Sequence, residues 1–259
     1  MRIRSAVVAV ALCTAAGVAL PVSAARAQSA AEHVAMGDRE HAALNAAAAL
    51  KHYEAAITAD PKDYEALWKA SRDAVDVGEA QTDAARRTQI YKNAELYARR
   101  AVEARPNDAE GHFQLARSLG KNALTLGTRE RIKYATDVRA QALEALKYDP
   151  KHAGALHIMG VWNAEVMRLN GFSRMMAKNF LGGQVFGAAS WKNAVRYMEE
   201  SVAADPQGII HHLDMGKIYR DVGDKAKARK QFELVEQLPA TQANDAMYKR
   251  DAQKQLTSL

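Results

Sequence analysis

The chain has 259 residues, enough for one or two ordinary domains or one elongated repeat array with a sizeable core. Its Ala-rich, charged composition with only six Pro favours helices, since Ala is the least costly helical residue and Pro among the most costly. The formal net charge of +6 suggests an anionic partner, but three basic residues lie within the first 27; the remaining 33 against 30 acidic leave +3, too little for a general attraction to nucleic acid or anionic membrane.

In chain order, Arg2 and Arg4 precede an uncharged apolar run over 5–20, then Pro21 and small residues ending in Ala25-Arg26-Ala27. That layout predicts an export signal over 1–27. The run is shorter than the roughly 20 apolar residues that cross a bilayer, so no stable membrane span is expected after cleavage. Cys13, the one cysteine, lies inside it, so residues 28–259 hold no thiol for a disulfide, a nucleophile or a metal. The expected location is periplasmic or secreted.

Downstream, helix endings followed by Pro recur at AAITADP (55–61), AVEARP (101–106), ALEALKYDP (142–150), SVAADP (201–206) and LVEQLP (234–239). Pro cannot continue a helix, so each marks a joint between helix-turn-helix units. The Pro-to-Pro spacings are 45, 44, 56 and 33. Only the last approaches the tetratricopeptide period of about 34 residues. Small residues nevertheless sit where paired helices must cross closely. First helices carry Met36-Gly37, Ala70-Ser71, Leu115-Ala116, Met159-Gly160 and Met215-Gly216; second helices carry Ala49, Ala56, Ala94, Ala101, Ala145, Ala194 and Ala228. The expected fold is all-α, a right-handed α-solenoid of five helix pairs at about 30–63, 64–108, 109–152, 153–208 and 209–240 within one domain, 28–259. The fourth pair is enlarged, and a capping helix over 241–256 covers the last apolar face. The second and third units carry helix formers rather than linkers, which predicts longer helices with turns near Gly78 and Gly127.

The enlarged unit also carries a family signature. Gly160-x-Trp162-x-x-Glu165-Val166, then Leu169, Arg174, Ala177 and the turn Phe180-Leu181-Gly182-Gly183, resembles the regulator of microtubule dynamics family. The resemblance covers about 90–256 and continues in HLDMGKIYRDVGDKAKARKQFELVEQLP from His212. It departs at Ala164, where an aromatic is usual, and at Gln184-Val185-Phe186-Gly187, which replaces a proline-bearing segment. The family comprises eukaryotic tetratricopeptide-like proteins and bacterial relatives. The eukaryotic members are linked to microtubules, and one binds phospholipid through this domain. The resemblance therefore implies a repeat fold and a binding role, while an exported chain would meet no microtubules.

The chain shows no HExxH, GxSxG or GxxxxGK[ST] sequence, so the expected function is non-enzymatic, without a cofactor or catalytic residue. The eight His are scattered, and no metal site is expected. The concave face of a solenoid is lined by its first helices. Seven residues after each joint Pro stand Trp68, Phe113, His157 and Leu213; one turn later stand Arg72, Arg117, Val161 and Lys217, with Arg220 beyond. An apolar and aromatic row beside a basic row suits a protein or peptide partner with a carboxylate, or alternatively an anionic lipid or other amphipathic ligand. The opposing expectation is that Trp68 and Phe113 fill core while the cations are solvated.

Val166, Leu169, Phe172, Met175, Met176 and Phe180 form a helical apolar stripe with Arg168, Arg174 and Lys178 between them, suited to core or to an acyl chain. Trp162 beside Gly160 is expected to be structural. Glu165, placed among apolar neighbours, is expected to pair with an Arg such as Arg174.

Overall fold

The computed structural model describes residues 22–169 and 183–259. Every regular element among these is helical: α1 (Val22–Ala42), α2 (Ala46–Ala59), α3 (Tyr64–Ala80), α4 (Ala84–Ala104), α5 (Ala109–Ala123), α6 (Thr128–Tyr148), α7 (Ala153–Arg168), a short 3-10 segment (Gly183–Ala188), α8 (Trp191–Ala204), α9 (Ile209–Asp221), α10 (Lys225–Gln237) and α11 (Asp245–Thr257). Neighbouring helices pack as hairpins α1/α2, α3/α4, α5/α6, α7/α8 and α9/α10, and α11 lies on α9 and α10. The chain is an α-solenoid. No described helix is long and apolar enough to cross a membrane. Most of the expected export signal lies outside the described residues; α1 begins at Val22 and so runs through 27–28.

The joints between hairpins share one construction. Pro61, Pro106, Pro150 and Pro206 each occupy the second position of a four-residue turn. The fourth residue's amide bonds to the first residue's carbonyl: Asp63 to Asp60 at 3.2 Å, Asp108 to Arg105 at 3.3 Å, His152 to Asp149 at 3.1 Å, and Gly208 to Asp205 at 3.3 Å. Pro presets the backbone angle that this turn position needs and ends the preceding helix. The side chains of Asp63, Asp108 and His152 then cap the next helix by accepting from Ala66, Glu110 and Ala155 amides.

Within hairpins, small residues on the first helix receive large side chains from the second. A Cβ on Gly37 would lie 2.4 Å from the Tyr53 ring; on Gly216, 2.4 Å from Phe232; on Gly160, 2.5 Å from the Met198 sulfur. Tyr53, Met198 and Phe232 are fully buried, as are Ala49, Ala56, Ala94, Ala101, Ala145, Ala194 and Ala228 on the second helices. Met36 departs from this pattern: it is exposed.

The turn expected near Gly78 comes directly after it, with the Gln81 amide bonded to the Gly78 carbonyl at 3.2 Å, although Gly78 itself is helical. Its missing Cβ admits the Tyr91 ring, and the chain turns after Ala80. Gly127 precedes α6, as its N-cap. The tight hairpins α1/α2 and α9/α10 turn at Leu44 (φ 61°) and Gly223 (φ 86°). Each lies seven residues after the hairpin's crossing glycine, Gly37 or Gly216, so Leu44 adopts a left-handed conformation that glycine takes without strain.

The enlarged hairpin replaces such a turn with residues 169–190. Phe172, Arg174, Met175, Met176, Lys178, Phe180 and Gly182 lie outside the described residues. Leu169 is the C-cap of α7, with ψ 137°, so the apolar stripe does not run on from Val166 as one continuous helix. Gly183 opens the returning 3-10 segment. Phe186 on that segment stacks on Trp162 (5.8 Å between ring centroids), and the Trp162 indole donates to the Ala135 carbonyl at 2.7 Å. Both rings are buried with Leu115, Leu119, Ile132 and Val166, which gives the departure at Phe186 a packing role. Gly160 opens the α7/α8 contact instead of seating Trp162.

Candidate functional site

Consecutive first helices are tied along their inner edges by a ladder of polar pairs. Lys69 on α3 meets Asp38 on α1 at 2.9 Å, Arg117 on α5 meets Asp76 on α3 at 2.5 Å, and His152 before α7 meets Glu110 on α5 at 3.2 Å. Arg168 on α7 bonds Asp221 on α9, and Lys217 on α9 meets Asp251 on α11 at 3.0 Å. These helices surround one cleft of about 1200 Å³.

All seven residues singled out for partner binding line that cleft: Trp68, Arg72, Phe113, Arg117, His157, Lys217 and Arg220. Trp68 is half-buried; its indole donates to Glu65 at 3.1 Å and its ring lies 5.1 Å from the Arg72 guanidinium. Phe113 rests on α7 where Gly154 leaves room, 4.6 Å from the His152 ring centroid. The His157 Nε2–H donates to Asp214 at 3.0 Å. Leu213 does not belong to the row. It is 1% exposed and lies in the core beneath α11.

The cations are neither solvated nor free. Arg72 donates to Asp73 (3.1 Å) and to the Tyr53 hydroxyl (3.3 Å), Lys217 to Asp214 (3.1 Å) and Arg220 to Asp221 and Gln255, while Lys121 bonds Glu79. Among the described lining side chains, eight Lys or Arg stand against nine Asp or Glu, so the cleft offers no net positive potential. Burial alone would push the Asp214 carboxyl up, but His157 and Lys217 outweigh it and hold its pKa well below the ordinary value. Burial likewise opposes charge on Glu79, yet Lys121 and Arg117 keep it below its usual range. Asp76 is pushed up: its burial outweighs the attraction of Arg117. Arg117 therefore neutralises a buried acid, and its reversal to Glu would damage the fold as well as the cleft.

These acids are the site residues that spacing from the joints does not reveal. Asp214 follows Leu213 on α9 and reaches His157 on α7, 57 residues earlier in the chain. Asp73, Asp76 and Glu79 follow Arg72 on α3, yet their main partners come from other helices or from the hairpin's own cation.

The family motif residues divide. Gly160 and Trp162 are buried. Glu165 is exposed and pairs with Arg168 one turn along its own helix at 2.5 Å, so it needs no rescue by Arg174.

The geometry has counterparts among known proteins. A crystal structure of a thermophilic TPR protein from Thermus thermophilus superposes with a TM-score of 0.60 at 16% identity, over 87% of this chain and 99% of that one, which supports the tetratricopeptide-type fold. Regulator of microtubule dynamics protein 1 of Mus musculus is 23% identical over 202 residues, 77% of this chain and 66% of its own length. The Homo sapiens protein of the same name is 24% identical over 193 residues, 74% of this chain and 61% of its own length. The chain thus spans less than two thirds of these relatives. The model of the family Regulator of microtubule dynamics protein 1-3 matches residues 29–259, nearly the whole chain, and the chain belongs to that family.

Proposed function

We propose that the chain is a non-enzymatic repeat scaffold that takes a peptide or protein segment into its concave cleft. The observation that carries this reading is the convergence of seven side chains from α3, α5, α7 and α9 on one cleft of about 1200 Å³, in which Arg72, Arg117, Lys217 and Arg220 already hold acid partners. Such a cleft recognises shape, aromatic faces and fixed hydrogen-bonding groups, with Trp68, Phe113, Ile158 and Val161 supplying the apolar surface. The same pairing disfavours a lipid phosphate on the inner cations, where it would compete with Asp76 for Arg117 and with Asp214 for Lys217. Action after export, in the periplasm or outside the cell, remains part of the proposal; the family match begins two residues after the expected cleavage point.

The test places a photo-crosslinking benzoylphenylalanine at Phe113 in the native host, with the exposed Glu103 of α4 as the outer-face control. Polypeptide adducts from position 113 and none from 103 are expected. Equal labelling at both positions, or adducts carrying only a phospholipid mass, would overturn the reading.

A further inference from the structure

Helix α11 does more than cover the last hairpin. Its apolar side is fixed on α9 and α10: Ala252 is fully buried, and Tyr248, Leu256 and Leu259 pack against a cluster containing Leu213, Ile218 and Phe232. Lys249 secures the same end by donating to the carbonyls of Glu236 and Leu238. The adjoining side, Asn244, Asp251 and Gln255 with the Tyr248 hydroxyl at the boundary, is polar and lines the cleft. A simple cap would turn that side to solvent.

From this polar side α11 reaches helix α3. The Asn244 amide donates to the Asp76 carbonyl and to Glu79, both at 3.0 Å, and the Tyr248 hydroxyl donates to Glu79 at 2.6 Å. Glu79 also accepts from Lys121 on α5, so one nearly buried carboxylate gathers donors from α5 and α11. These contacts join residues 165–169 positions apart and close the array across its own cleft. The two attachments differ in kind. The hold on α9 and α10 is apolar burial reinforced by polar bonds through Lys249, Lys217 with Asp251 and Arg220 with Gln255. The hold on α3 is made of hydrogen bonds, which water can replace at small net cost.

We propose that α11 is a releasable strap, hinged by its apolar side on α9 and α10 and latched to Asp76 and Glu79, and that its release opens the cleft to a bulky occupant. The hairpins between α3 and α11 keep their own contacts when the latch opens, because each hairpin packs on its neighbours. This inference goes beyond the binding reading, and its test needs no partner.

In a Cys13→Ser background, cysteines at the exposed positions Ala80 and Ala246 carry spin labels that report the α3–α11 distance. Separately, a cysteine at Val161 on the cleft wall reports entry through its rate of alkylation by a polyethylene-glycol maleimide. The parent should give one narrow distance distribution and slow alkylation. Asn244→Ala combined with Tyr248→Phe should add a longer-distance population and speed alkylation several-fold, and Glu79→Gln should act in the same direction. Gln253→Ala, on the outer side of α11, should change neither. An unchanged distribution in both latch variants, or a longer distance with unchanged alkylation, overturns the strap. So does loss of helicity in the variants, because α11 would then be an inseparable part of the fold.

Discussion

The first helices present two faces that are held by different physics. Toward its own hairpin partner, each uses shape: Gly37 against Tyr53, Gly160 against Met198, Gly216 against Phe232. Toward the cleft, each uses charge: Arg117 with Asp76, Lys121 with Glu79, Lys217 with Asp214 and Asp251. The difference teaches where sensitivity lies. The hairpin seam tolerates pH and salt but no change of volume, whereas the cleft face tolerates modest volume changes but not the loss of one member of a pair.

Substitutions that separate these faces follow in order of expected effect. Trp162→Ala, which empties a buried site and orphans the Phe186 stack, should cost about 3–5 kcal/mol in thermal or denaturant unfolding. Trp68→Ala on the cleft wall should cost nearer 1 kcal/mol, since the ring is only half-buried. Equal losses at the two positions would erase the distinction.

Arg117→Met should cost about 3 kcal/mol by leaving Asp76 buried without its partner. Adding Asp76→Leu should recover much of that loss, and a double-mutant cycle with no coupling would show the pair to be irrelevant.

Asp214→Asn probes the same face through pH. The folded carboxyl has its pKa below the ordinary 3.8, so the unfolded chain binds the proton more readily. Its stabilisation is complete above pH 3.8 and is lost as pH falls below that value toward the folded pKa. The variant should lose on the order of 2 kcal/mol at neutral pH and show a flatter acid limb, measured by urea unfolding across pH.

Leu44→Gly should stabilise by about 1 kcal/mol, because it relieves a left-handed leucine where the last hairpin already uses Gly223. Arg196→Gln, which breaks an exposed pair with Glu200 one helical turn away, should change stability by less than about 0.5 kcal/mol.

Much of the scaffold was legible because it is encoded locally. Pro at a joint and Ala or Gly at a crossing act within one turn or one hairpin, and each leaves a mark at fixed spacing. Gly78 does lie beside a turn, but the residue is glycine for close approach: the Tyr91 ring that fills its place is thirteen residues away. Glu165 misled, since apolar neighbours in sequence do not imply burial on a helix with one edge open to water.

By itself, the sequence determined the helical class, the joints, the apolar crossings and the residues that would face inward, since all of these depend on periodicity within a helix and on backbone limits at Pro. Tertiary structure alone decided that Arg117, Lys121 and Arg168 are neutralised by acids 41 to 53 residues away, and that α11 returns to α3 across 165 or more. Those contacts depend on the curvature accumulated over several hairpins. Small rotations at each crossing set that curvature, and no single spacing in the chain records their sum.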